Sequence, residues 1–495
     1  MLFALALSLH GILQYAGVLP STNGNFAVTG SFDNPAGFAA ALACAFPLCF
    51  HFFTDQTKYV KHAAMAAAAI MTAAVVLSGS RAGMLAVMAA IAVWFFAKPK
   101  TRNTKLAAAI VMLALPTALY FFKKDSADGR WLIWRASLDM VADKPVLGHG
   151  AGAFKAKYML CQAAYLNARP DSQYAQLAGN TLHPFNEYLL VLCEHGLTGL
   201  CMAALPVFLL VGAYRRNRSK EKLPALMSLS ALAVFSFFSY PFRYPFTWVM
   251  LFLNVAVICN APDVRKVYHG FFAQKRNMLY RNIPRITVLL LSSGLLMHSV
   301  LLTQAEIRWN HIAHLSLAGK TGEVLPEYDP LYRYLGKDGL FLYNHAAELH
   351  EVKEYAKSLS IFERCVRYYN DMDVQMLLAD NYKELHQYGE AEKHLKLAAA
   401  MCPVRFMPLY ELAKLYDAAG RHEDALTVAR QIICKKIKIP SATVTAIKNE
   451  MRQLLEKEGT RDSATQGGTS DESKSHEPRQ GETPEVSPYG SALPP

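Results

Sequence analysis

The stretch TLHPFNEYLLVLCEHGLTGL (181–200) decides how the rest of the chain is read. It opens on His183, Asn186 and Glu187 and then turns strongly apolar. Read as one helix, these three residues fall at i, i+3 and i+4 and share a face. Polar groups at the mouth of an apolar helix are costly to desolvate, so their presence points to chemistry or to a partner.

Working outward, apolar runs of about 16 to 20 residues recur as far as residue 303, the length a membrane-spanning helix needs. Their positions predict about nine spans: 1–18, 36–53, 62–78, 82–97, 105–122, 188–213, 224–239, 246–260 and 287–303. The first lacks a basic n-region and a cleavage site, so it reads as a span rather than a signal peptide. The basic residues sort by loop. KPKTRNTK (98–105), RRNRSKEK (215–222) and the Lys/Arg-rich segment 265–285 all fall on one side, which the positive-inside rule makes cytoplasmic. The segments SFDNPAG (31–37), SGSRAG (78–83), the loop 123–187, YPFRYP (240–245) and everything after 303 are then expected on the outer side. The net charge of +12 is a topology signal and gives no argument for nucleic acid.

After the last span a helical repeat is expected. Ala356, Ala391 and Ala425 recur at about 34 residues, the period of tetratricopeptide repeats, and Ala379 and Ala413 each lie twelve before a partner alanine. The fold class expected is therefore all-α: a polytopic bundle over 1–303, a connector over 304–339, tetratricopeptide-like repeats over 340–457, and a Ser/Gly/Glu/Pro-rich disordered tail over 458–495. The nine cysteines show no CxxC spacing, and no His/Cys pair has metal-ligand spacing. No metal site and no cofactor are expected.

The outer segments carry the candidate site. Arg81 lies in SGSRAG, Arg130 and Arg135 alternate with Trp131 and Trp134, and Arg243 lies in a turn flanked by Pro241 and Pro245. Taken singly, such arginines are ordinary interfacial residues. Several guanidiniums on one side of a membrane suit a pyrophosphate, because each forks two donors onto phosphate oxygens. His183 is the candidate general base, with Glu187 to orient it and Asn186 at the substrate. The run LGHGAGAF (147–154) follows no strand and so reads as a flexible turn, with His149 a minor candidate.

Five segments in order, FDNPAGFAA (32–40), SGSRAG, RWLIW (130–134), KPVLGHGAGAF (144–154) and HPFNEYLLVLCEHGLTGL (183–200), resemble the O-antigen ligase superfamily. The resemblance covers roughly residues 20 to 260. That superfamily comprises lipid A-core:O-antigen ligases, O-antigen polymerases and protein O-oligosaccharyltransferases. The resemblance implies metal-free, inverting transfer of a glycan from undecaprenyl pyrophosphate to an acceptor: lipid A-core, glycan or protein. It also implies a bacterial inner-membrane location with the C-terminal domain in the periplasm. Arg81, Arg130 and His183 match the family's Ser-Arg turn, Arg/Trp segment and His-Asn-Glu helix. Here Pro184 and Phe185 separate His from Asn, which weakens the match of Asn186. Members carry further spans before the FDNP segment, so the chain is expected to be a truncated reading or a compact variant. The rival reading is a membrane scaffold that recruits protein partners through its repeats.

Overall fold

The computed structural model describes residues 1–53, 57–97, 101–106, 109–110, 114, 117, 124–259 and 278–466. Every regular element among them is helical. The principal helices of the first part are α1 (Leu2–Tyr15), α2 (Pro35–Ala45), α3 (Lys58–Leu77), α4 (Arg81–Ala97), α5 (Lys124–Asp143), α6 (Ala153–Asn167), α7 (Glu187–Arg216), α8 (Leu223–Phe238) and α9 (Pro245–Cys259). The second part has α10 (Met278–Leu315), α11 (Gly339–Glu351), α12 (Tyr355–Cys365), α13 (Met372–Glu384), α14 (Tyr388–Met401), α15 (Met407–Ala418), α16 (His422–Cys434) and α17 (Ala442–Gln466). Four stretches are long and apolar enough to cross a membrane: Pro35–Phe52, Lys58–Leu77, Glu187–Arg216 and Ile286–Leu335. Helices α1, α4, α8 and α9 are shorter and apolar. The expected span 105–122 and the basic segment 265–285 lie largely outside the described residues. So does the tail beyond 466, and α17 continues helically past residue 458, where composition predicts the tail to begin.

The chain divides into two units. The first comprises 1–151 and 183–291. Its core is built from small side chains, with Ala39, Ala40, Ala43, Ala74, Ala86 and Ala90 buried beside Phe38, Leu42 and Phe235. Small residues let helices approach closely, the usual solution where lipid supplies no hydrophobic drive between them. At Gly83 an added Cβ would lie 2.7 Å from that of Ala39, so α4 touches α2 with almost nothing between them.

Helix α7 is interrupted at Gly196, whose φ of 61° and ψ of −159° suit glycine alone. A break in an apolar helix strands backbone groups on both sides, and in lipid each costs several kcal/mol if left unmet (roughly, by transfer data). The turn 145–150 meets them. Leu197 and Thr198 N–H groups donate to the carbonyls of Pro145 (2.9 Å) and Val146 (3.1 Å), and the Cys193 and Glu194 carbonyls accept from His149 (3.0 Å) and Gly150 (2.8 Å). A Cβ at Gly148 would collide with the Glu194 backbone, and one at Gly196 with the Val146 carbonyl. The glycine run, which the sequence presents as a flexible turn, is thus pinned against the helix it repairs. His149 is part of the lock, with its side chain 3 % exposed and its Nε2 2.9 Å from the Met140 carbonyl.

The second unit comprises 152–182 and residues from 292 onward. It stacks three helical hairpins, α11/α12, α13/α14 and α15/α16, with α17 packed on the last. Ala346, Ala379 and Ala413 are buried in the first helix of each hairpin; Ser358, Ala391 and Ala425 are buried twelve residues later in the second. Ala356, expected in that register, is exposed, and Ser358 takes its place, donating its hydroxyl to the Ala346 carbonyl at 2.7 Å. A serine that returns its hydrogen bond to the facing helix is as compact as alanine there, which hides the third repeat from an alanine count. Helix α10 is 38 residues long and crosses the boundary expected at 303.

The sequence assigns the loop 123–187 wholly to the membrane domain, yet its second half packs with the hairpins. Helix α6 lies against α14. Tyr158 is fully buried there and donates to Gln162 Oε1 (2.7 Å), while Gln162 Nε2 donates to the carbonyls of Met401 (2.7 Å) and Gly179 (3.2 Å). Asn180 donates to Asp373 (2.8 Å) and accepts from the Met372 N–H (3.3 Å). The reason is physical: α6 carries more apolar surface than a solvated loop can leave exposed, and the hairpins bury it.

Candidate functional site

Three turns of the first unit build the site. The FDNP turn starts α2: Asn34 is its N-cap, and its Oδ1 accepts from the Ala36 (2.8 Å) and Gly37 (3.2 Å) N–H groups. The YPFRYP turn joins α8 to α9, with Pro245 opening the latter. The HPFN turn precedes α7, whose N-cap is Asn186.

The helix therefore begins at Glu187, and His183 stands outside it, which corrects the shared-face reading. Pro184 keeps residue 183 out of helical conformation, Phe185 takes a φ of +53°, and Asn186 is extended at φ −159°. The Asn186 side chain, 6 % exposed, accepts from the Leu189 N–H at 3.0 Å. Its place is explained by capping, and it does not reach outward.

His183 is brought to the other candidates by this turn instead. Its Nε2 lies 3.3 Å from Nη1 of Arg243. A guanidinium only donates, so Nε2 accepts and the ring proton sits on Nδ1. The imidazole stacks on Tyr240, with ring centroids 5.0 Å apart at 27°. Glu187 Oε1 accepts from the Phe242 N–H at 3.3 Å, tying the start of α7 to the turn that carries Arg243.

Phe185 connects this group to Arg130. The Arg130 guanidinium lies 5.4 Å from the Phe185 ring centroid, Phe185 lies 5.4 Å from Tyr240, and the Pro184 carbonyl accepts from Trp134 Nε1 at 2.9 Å. Burial, and then the charge of Arg81, pull Arg130 down to about 10, still cationic at neutral pH. Two guanidiniums that feel each other's charge favour an anion between them. Arg81 follows the turn Ser78–Ser80 at the first position of α4, and its Nη2 donates to Ser126 at 2.8 Å. Arg81, Arg130, His183, Glu187 and Arg243 are thereby linked through neighbouring contacts.

Four further residues of the cluster, Asp33, Asn34, Tyr240 and Tyr244, lie in the FDNP and YPFRYP segments but are not site candidates from the sequence. Asn34 Nδ2 donates to the Tyr240 hydroxyl (3.2 Å), and Tyr244 donates to Asn34 Oδ1 (3.1 Å) and to Asp33 Oδ1 (3.3 Å). Tyr244 packs on Gly37, where an added Cβ would fall 2.6 Å from the ring. Burial first, and the Asp33 carboxylate second, raise Tyr240, which stays a phenol at neutral pH.

Residues 66–204 match the family model described as O-Antigen ligase. Over this portion the chain is similar to the O-antigen ligase family. The match spans Arg81, Arg130, His183 and Glu187. This similarity supports a membrane enzyme of the glycan-transfer type, of a family that implies a lipid-linked glycan donor and an acceptor. Among curated proteins no similar sequence was found. The crystal structure of MamA protein is similar over 35 % of this chain and 100 % of its own, at 13 % identity and a TM-score of 0.27, a level that carries no argument.

Proposed function

We propose that the chain transfers a glycan from undecaprenyl pyrophosphate to an acceptor hydroxyl at the periplasmic face of the bacterial inner membrane, in the manner of an O-antigen ligase. The observation that carries the reading is the contact of His183 with Arg243 beside the Arg81–Arg130 pair. A base and several forked cations at one membrane edge match the two ends of the reaction. Arg81 and Arg130 hold the pyrophosphate and offset its charge as it leaves. Arg243 turns onto the same anion, which uncovers Nε2 of His183. His183 takes the proton of the acceptor hydroxyl as its oxygen attacks the anomeric carbon, and the bond from that carbon to the pyrophosphate oxygen breaks with inversion. Glu187 holds the turn of Arg243 in reach. The charge neutralisation comes from arginine, so the reaction proceeds without a metal.

The hairpin unit is read as a tetratricopeptide-like array on the periplasmic side. Its packing with 152–182 supports that side, since two segments of one unit share a compartment. Glycan analysis of a deletion strain tests the proposal. Loss of long-chain lipopolysaccharide is expected, and unchanged lipopolysaccharide with loss of protein-linked glycan would replace lipid A-core by protein as acceptor.

A further inference from the structure

We infer that Tyr240 is a positioning residue for His183, an aromatic platform that fixes the imidazole with Nε2 toward Arg243; this rests on the reading of His183 as the general base. A base on an irregular turn has no helix to hold it, and His183 precedes the N-cap of α7 by three residues. Its ring is held instead by near-parallel stacking on Tyr240 at 5.0 Å. Tyr240 is itself held from several directions. Phe185 tilts against it at 5.4 Å, Tyr244 lies near-parallel at 6.2 Å and 28°, and its hydroxyl accepts from Asn34 at 3.2 Å. Asn34 is in turn fixed as the cap of α2, and Tyr244 by contact with Gly37. Each support comes from an element that packs for its own reasons, so the platform is rigid before substrate arrives. A base held in this way loses little orientational freedom on reaction, which is the advantage preorganisation confers.

The platform predicts that ring and hydroxyl of Tyr240 contribute differently. Y240L removes the stacking face while keeping an apolar side chain, and Y240F removes only the link to Asn34. In the full chain, peptide-resolved acylation of His183 by diethyl pyrocarbonate should be several-fold faster in Y240L, with His149 in the same unit unchanged as the control for folding. Y240F should label close to the parent rate. With undecaprenyl-pyrophosphate-linked glycan and lipid A-core as substrates, Y240L should lower kcat on the order of 10- to 100-fold, part of what a general base supplies, at unchanged KM for the donor. Y240F should keep most of that turnover. In an H183A background Y240L should cost nothing more, because residues that act as a unit are not additive. Unchanged His183 labelling in Y240L, an equal further loss in the H183A background, or a raised donor KM at unchanged kcat would overturn the inference; the last would make Tyr240 a sugar platform. Full transfer by H183A alone would overturn the base assignment instead, and the labelling experiment reads the platform without it.

Discussion

At the scale of single residues, the proposed mechanism separates a group that acts on the acceptor from groups that hold the donor. His183→Ala should therefore abolish transfer, by about 10²–10⁴-fold for a general base, while binding of the pyrophosphate carrier stays near the parent value. Arg81→Ala and Arg130→Ala should weaken carrier binding and turnover together, because a phosphate contact exists in ground and transition states alike. Lysine at either position should restore only part, for want of the fork. Carrier binding measured beside single-turnover transfer separates the two classes, and H183A that fails to bind carrier would sink the assignment. The arginines and His183 are legible in the sequence because charge at the edge of an apolar run is costly to desolvate and stands out against it. Tyr240, Tyr244, Asp33 and Asn34 are not, since tyrosine and Asx residues fill turns everywhere. The helical placement of His183 fails on a signal that is present: Pro184 two residues before an Asn cap marks a start at Glu187, not earlier.

At the scale of elements, the interrupted helix α7 is the feature most exposed to substitution. Gly196→Ala puts a side chain into a backbone region reserved for glycine, costing on the order of 1–3 kcal/mol, and drives its Cβ into the Val146 carbonyl. Thermal unfolding of the purified protein should show a clear loss, and Gly150→Ala, whose Cβ meets nothing within 4 Å, serves as the milder partner. The φ of +99° at Gly150 still makes it more than neutral. In the hairpin unit, burial raises Glu348 to about 7. Its protonated form is the one the fold prefers, so its contribution is complete below about 4.5 and is lost as pH rises through about 7. Burial lowers His345, stacked 4.3 Å from Tyr328, to about 4, and this acts oppositely, with stability falling as pH drops from 6.5 towards 4. Between about pH 5 and 6.5 the two oppose each other, so the Glu348 part is read as a difference: hydrogen-exchange protection factors of α11 amides in Glu348→Gln, which mimics the neutral acid, should rise relative to the parent as pH goes from 5 to 7. An unchanged difference across that range would assign the pH dependence to another group. Helices here are legible from apolar length and from period, while the turn 145–150 is not, because its job is to bond a break that no local pattern announces.

At the scale of the whole molecule, every site assignment depends on which side of the membrane each segment occupies. By the positive-inside rule the loop charges lead us to expect 98–105 and 215–222 in the cytoplasm, and 123–187 with everything after 303 outside. Reporters fused after residues 100 and 218 should accordingly read cytoplasmic, and those near 160 and 400 should read periplasmic. The structure adds a constraint that charge counting lacks. Residue 160 lies in α6 and residue 400 in α14, and these helices pack together in one unit. The two fusions must agree with each other whatever the count of spans between them. That interval includes the region around 265–285, so the agreement is an independent check on a part of the chain where hydropathy alone carries the argument. If both read cytoplasmic, the whole assignment inverts, and Arg81, Arg130 and His183 face away from a periplasmic carrier, which ends the proposed mechanism. If they disagree, the packing of 152–182 with the hairpins is not the state of the protein in the membrane. Only a periplasmic reading at both positions leaves the base, the arginines and the acceptor in one compartment.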